Sequence, residues 1–114
     1  MLKIAIFGAQ SIALGAYRAV RELYQDFEVV GFLVSCKEGN PDTLAGLPVY
    51  EMRSFQEKKV CVLVATPEDS QEHIVRMLEE QGFHNHICMD SEKESALMEA
   101  YYTQIGAFRS LHKL

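Results

Sequence analysis

The sequence predicts an α/β fold, a three-layer sandwich in which helices cover both faces of a mostly parallel sheet. Three observations carry this expectation. Apolar runs rich in β-branched residues stand at 2–7 (LKIAIF), 28–34 (EVVGFLV) and 60–65 (VCVLVA). They are continuous rather than alternating, as strands buried on both faces are. Segments of helical periodicity lie between them, and Gly or Pro punctuates the junctions.

Leu2–Phe7 is bounded by Gly8. Ser11 is read as the N-cap of a helix over about 12–25, with Ala13, Ala16, Tyr17, Val20, Leu23 and Tyr24 on one side and Arg18, Arg21, Glu22 and Gln25 on the other. Glu28–Val34 then completes a βαβ unit, whose crossover should be right-handed. Ser35–Gly46, with Gly39, Asn40, Pro41 and Gly46, reads as a loop. Leu47–Tyr50 is a short extended segment in which Pro48 argues for an edge or non-ladder position, and Met52–Lys58 is a candidate short helix. After the third run, Thr66 is the expected N-cap and Pro67 the first helical residue, with Glu68 and Asp69 in the first turn. That helix stops at Gly82. Ile87–Met89 is a short fourth strand, and Ser91 with Glu94 fits a capping box for a last helix reaching about Ile105. The pattern describes one Rossmann-like domain over 1–114.

Composition narrows the function classes. The chain has 114 residues, 48% hydrophobic and 24% charged, with a net charge of −5, an ordinary globular balance. A chain of this size buries roughly 60% or more of its unfolded surface, so a core is possible without metal or disulfide. Acidic residues outnumber basic ones 16 to 11, which disfavours nucleic acid as a partner. The basic runs, Lys58-Lys59 and the Arg109, His112, Lys113 tail, make no patch. Cys36, Cys61 and Cys88 are widely spaced, with no zinc-ligand spacing. Cys61 and Cys88 read as small buried hydrophobes in a reducing compartment. No run approaches the roughly 20 apolar residues of a membrane span, and no signal h-region precedes Gly8. A cytoplasmic protein is expected.

In an open parallel sheet, ligands bind beyond the carboxyl ends of the strands. Those ends offer Gly8, Ala9, Gln10, Ser11 and Ile12 after the first strand, Ser35 and Cys36 after the second, and Thr66 after the third. Gly8 permits a tight turn, and the free N–H groups opening the first helix form an anion site. Phosphate is assigned to Gly8–Ile12, ribose or base to Ser35 and Cys36, and sugar or a second phosphate to Thr66. The dinucleotide fingerprint G-x-G-x-x-G/A reads here Gly8-Ala9-Gln10-Ser11-Ile12-Ala13. Gln10 stands where the backbone must approach a pyrophosphate, and the second strand ends in Val34, Ser35 and Cys36 without the ribose-binding acid. A nucleotide or nucleotide sugar is the expected ligand, and NAD is not.

The segments KIAIFGA, VVGFL, GLPVY, VLVAT and EEQGF resemble the N-terminal Rossmann-like domain of bacterial sugar N-acyltransferases and related polysaccharide-biosynthesis glycosyltransferases, over most of residues 1–89. The resemblance implies binding of a nucleotide sugar, with acyl transfer done by a separate left-handed β-helix that this chain lacks. That family's G-F-L-D becomes Gly31-Phe32-Leu33-Val34. Residues 90–114 lie outside the resemblance, and the ending FRSLHKL reads as a domain cut from a longer chain.

No catalytic residue is assigned. His84 and His86 read as solvated loop histidines without a carboxylate to complete a metal site. His73 and Cys36 lie near the ligand edge without a partner for acid–base or thiol chemistry. No G-x-S-x-G elbow or G-x-x-x-x-G-K-[ST] loop occurs. The last helix carries Ala96, Leu97, Met98, Ala100, Tyr101, Tyr102 and Ile105, an arc broader than one sheet face requires, which suits a homodimer surface or a following domain. Three readings result: a non-catalytic nucleotide- or nucleotide-sugar-binding domain, a structural or oligomerisation module with a vestigial pocket, and a fragment of a sugar-nucleotide epimerase or dehydrogenase. The last lacks Tyr-x-x-x-Lys, since Tyr17 and Tyr24 are followed at four by Arg21 and Glu28.

Overall fold

A computed structural model describes the backbone of residues 2–112 and the side chains of residues 2–106. The elements run β1 (Leu2–Phe7), α1 (Ser11–Leu23), β2 (Phe27–Val34), β3 (Thr43–Leu44), β4 (Leu47–Glu51), a 3₁₀ turn at Met52–Ser54, β5 (Cys61–Val64), α2 (Glu68–Glu80), β6 (His86–Cys88) and α3 (Ser91–His112). The sheet has six strands in the order β3-β4-β2-β1-β5-β6. All neighbours are parallel except β3 with β4. This is the predicted three-layer α/β architecture.

Two cores sit on opposite faces of the sheet because side chains alternate along each strand. Ile4, Ile6, Phe32, Val34 and Cys61 point toward α1, where Ala13, Ala16, Tyr17 and Val20 close over them. Small residues at 13 and 16 let the helix lie near the sheet, and the Tyr17 ring meets the Phe32 ring edge-on at 5.8 Å. On the other face Ala5, Phe7, Leu33, Val62 and Val64 pack under Ile74 and Leu78 of α2, with Met52, Phe55 and Phe83 completing the cluster. Strand β1 is central, with β2 on one side and β5 on the other, so the connections after β1 and after β5 run to opposite sides.

Several local expectations change. Helix α1 starts at Ser11, and its N-cap is Gln10, not Ser11. Helix α2 starts at Glu68 with Pro67 as N-cap, one residue later than predicted. Thr66 belongs to the turn: its Oγ1 lies 3.1 Å from Ser70 Oγ. Asp90, rather than the Ser91/Glu94 pair, caps α3, where the Lys93 N–H donates to Asp90 Oδ1 at 2.8 Å. The Ser91 N–H donates instead to the Glu68 carboxylate of α2. A two-residue strand occupies the predicted loop, and Pro48 sits inside the sheet opposite Thr43 of β3. Its missing N–H is tolerated because β4 pairs with β2 only from Val49 onward. The helix expected over 52–58 is a single 3₁₀ turn. Cys61 is buried, but Cys88 only half so. The basic run of Arg109, His112 and Lys113 lies outside the described side chains, as does the FRSLHKL end.

Two details hold the carboxyl edge of the sheet in place. Gln71, 7% exposed, donates from Nε2 to the Thr66 carbonyl at 2.9 Å and to the Met89 carbonyl at 2.7 Å. It thus ties the ends of β5 and β6 to α2. In β2 the register with β1 slips at Val30, and a Cβ at Gly31 would stand 2.8 Å from the Pro48 carbonyl oxygen. Glycine is required there for β4 to approach.

Candidate functional site

The switch in strand order at β1 opens a crevice between the turns after β1, β2 and β5, where open parallel sheets hold ligands. The cavity there has a volume of about 420 Å³, within the range of small-molecule sites.

Gly8 shapes its floor. The residue adopts φ +128°, and a Cβ would lie 2.8 Å from the Ala65 carbonyl oxygen and 3.2 Å from Ala13 Cβ. Its N–H donates to the Leu33 carbonyl at 2.8 Å, extending the ladder by one residue. Only glycine allows the chain to turn here while β5 stands so near.

The first helix then opens without a cap. Gln10 makes no side-chain capping bond, and no acidic residue stands in the first turn. The first helical bond runs from the Leu14 N–H to the Gln10 carbonyl at 3.0 Å. The N–H groups of Ser11, Ile12 and Ala13 therefore have no helical acceptor, and no hydrogen bond from them is found among the described residues. Gln10 is exposed and stands in the lining of the crevice. Ile12 packs against the α1-side core. The crevice is open.

Of the residues predicted to form the site, Gly8, Ala9, Gln10, Ser11, Ile12, Ser35 and Thr66 line one cavity. Cys36 does not line it. Its side chain is exposed, and its carbonyl accepts from Asn40 Nδ2 at 2.8 Å. That bond folds the loop after β2 back over the crevice and puts Asn40 in the lining where Cys36 was expected. Ser70 joins from the first turn of α2, one helical turn beyond Thr66. An i, i+4 relation signalled Ser70 in advance, and an Asn able to hydrogen-bond its own loop signalled Asn40. Neither was singled out. His73 is exposed and outside the lining.

The lining also contains Phe7, Val34, Ala65 and Pro67, and no Asp, Glu, Lys, Arg or His. Its polar groups are hydroxyls and amides. The nearest carboxylate in sequence, Glu68, is held below its ordinary value by the Ser91 N–H and is ionised where α2 begins.

A second cluster lies at the opposite end of α2. Glu79 receives His86 Nε2 at 2.6 Å and, on its other oxygen, His84 Nδ1. His84 is a solvated loop residue as expected, its side chain 71% exposed, whereas His86 lies in β6 and is 20% exposed; the carboxylate paired with both was not expected. These contacts hold the Glu79 carboxyl below its ordinary range, with the His86 bond the larger cause. Even so, no three His, Cys, Asp or Glu side chains converge as a metal site among the described residues. No described helix is long and apolar enough to cross a membrane.

No family model matches the chain, and no curated protein matches it in sequence. The sugar N-acyltransferase resemblance therefore rests on its short apolar segments alone. Among solved structures, the chain is similar to the crystal structure of RSP, a Rex-family repressor, with a TM-score of 0.63 at 13% identity. The match covers 100% of this chain and 63% of that one, so the chain spans under two thirds of the repressor's length. At this identity the likeness establishes a Rossmann-like fold.

Proposed function

We propose that this chain is a non-catalytic domain that binds a nucleotide or nucleotide sugar at the carboxyl edge of its sheet. One observation carries the reading. Three unsatisfied N–H groups opening α1 stand at an unplugged crevice whose lining is otherwise neutral. Such a terminus attracts an anionic group. Ser35 and Asn40 would flank ribose or base, and Thr66 and Ser70 the sugar. Gln10 at the second fingerprint position and Val34 at the end of β2 argue against NAD as the ligand. The proposed wider setting is a bacterial surface-polysaccharide protein with an attached glycosyltransferase or acyltransferase, and it rests on the resemblance in KIAIFGA, VVGFL, GLPVY, VLVAT and EEQGF. Isothermal titration of the chain with uridine and adenosine nucleotides, nucleotide sugars and NAD tests the reading. Saturable heat with the nucleotides supports it, and no heat with any ligand removes it.

A second reading, an oligomerisation module, draws on α3. None of its described side chains is fully buried, and Tyr102 is 63% exposed. Light scattering that returns a monomer mass at high concentration rejects a homodimer through this helix.

A further inference from the structure

The carboxyl end of α2 runs against its own dipole. Its last turn holds Glu79 and Glu80 and no basic residue, although that end of a helix disfavours negative charge. The groups that offset Glu79 come from beyond the helix. We infer that Glu79, His84 and His86 form an acid-released clasp that fastens the edge strand β6 to the end of α2.

Each oxygen of the Glu79 carboxylate takes a different ring, one His86 Nε2 at 2.6 Å and the other His84 Nδ1. An ionised carboxylate can only accept, so His84 donates from Nδ1–H and His86 from Nε2–H. The two histidines flank Asn85, whose carbonyl accepts the Val62 N–H of β5 at 2.8 Å. One helix side chain thus grips both neighbours of the residue where β6 joins the sheet.

Acid reverses this arrangement. Histidine rings are cationic in acid, and a protonated Glu79 leaves two cations side by side without the anion between them. The neighbouring charges do not restore it. From the segment before β5, Lys58 and Lys59 line a cavity with His84 and add positive charge. Lys58 is held by the Met52 carbonyl at 3.2 Å and by the Phe83 ring. On α2, Arg76 is taken by Glu72 at 3.1 Å, and Glu80 is exposed. The two histidine bonds hold the Glu79 carboxyl below its ordinary 4.5, so this proton binds less readily to the folded chain than to the unfolded one. The clasp is therefore complete above that value and is lost as pH falls through the lower folded one.

Two measurements on the whole chain test the clasp. Nitrogen-15 NMR of the imidazoles at about pH 8, in mildly alkaline buffer, should find His84 as the Nδ1–H tautomer and His86 as the Nε2–H tautomer. Any other pair of tautomers overturns the inference. Hydrogen exchange then compares the Val62 amide, which faces β6, with the Ala65 amide, which donates to Phe7 of β1 at 3.0 Å. From about pH 5.5 to about pH 3.5, protection of Val62 relative to Ala65 should fall about two- to fivefold, the scale of an exposed ion pair. In Glu79→Gln, which keeps the side-chain shape without the titrating carboxyl, the ratio should stay flat. A constant ratio in the wild type overturns the clasp, as does an equal fall in Glu79→Gln.

Discussion

Replacing Gly8 by alanine tests the geometry on which the crevice depends. At φ +128° an L-residue pays backbone strain of about 1–3 kcal/mol. The new methyl would stand 2.8 Å from the Ala65 carbonyl oxygen and 3.2 Å from Ala13 Cβ, and neither neighbour is the far end of a flexible side chain. One is backbone and the other is the first carbon of a buried helix residue. Relieving such overlap by moving α1 away from β5 adds about 1–3 kcal/mol. The combined loss is about 4 kcal/mol, a large part of the roughly 5–15 kcal/mol that holds a domain of this size together. Gly39→Ala is the matched control. It has φ +80° with no atom within 4 Å of its Cβ position, so only the backbone strain applies. Urea unfolding of both variants, followed by circular dichroism, isolates the contact. Gly8→Ala should unfold at clearly lower urea than Gly39→Ala with a similar slope, and a Gly8→Ala chain too unstable to purify is the same outcome at its limit. Equal midpoints would refute the close approach of β5 to this turn, and with it the shape of the crevice floor.

Gln10→Asp should stabilise the fold by about 0.5–1 kcal/mol by capping α1. It should weaken nucleotide binding about tenfold by placing a carboxylate at the anion site; thermal unfolding and titration read the opposed signs, and loss of stability contradicts the uncapped terminus. Gln71→Leu strips both hydrogen bonds from the Thr66 and Met89 carbonyls and should cost about 2–3 kcal/mol, seen as a lowered thermal midpoint. An unchanged midpoint means Gln71 does not tie β5 and β6 to α2. Acid should loosen the start of α3. The Glu68 carboxyl is lowered by the Ser91 N–H and that of Asp90 by the Lys93 N–H, so both bind protons less readily folded than unfolded. Their contribution is full above the ordinary values of 4.5 and 3.8 and is lost as pH falls through the lower folded values. Hydrogen exchange at the first turn of α3 should accelerate over that range in the wild type. In the Glu68→Ala, Asp90→Ala double variant it should already be fast at neutral pH, and equal protection there would contradict the role of these carboxylates.

The α/β layering was legible in the sequence because it depends on local quantities. Strands buried on both faces must be apolar at every position, so LKIAIF and VCVLVA stand out without any partner. The apolar stripe of α1 recurs at a spacing that only a helix satisfies. The same economy located most of the crevice. Once β1 is recognised, the residues following it must lie at its carboxyl end, and Gly8 through Ile12 line the cavity as expected. The start of α3 was displaced by one residue because a capping side chain is chosen by what else competes for it. The Ser91 N–H is taken by Glu68, 23 residues earlier in the chain, and that leaves Asp90 to cap α3.

Contacts between residues distant in sequence, and loops that fold back, were decided by the tertiary structure alone. Asn40 replaced Cys36 in the lining because its amide folds the loop onto the Cys36 carbonyl, a choice no periodicity records. Gln71 lies on a helix face whose pattern admits a polar residue, yet its role exists only because β5 and β6 end beside it with unpaired carbonyls. His84 and His86 share one carboxylate because α2 ends where β6 begins. Local chemistry sets which elements form and where an anion would be welcome. Packing sets which side chains reach that place, since each position depends on chain segments that sequence spacing does not bring together.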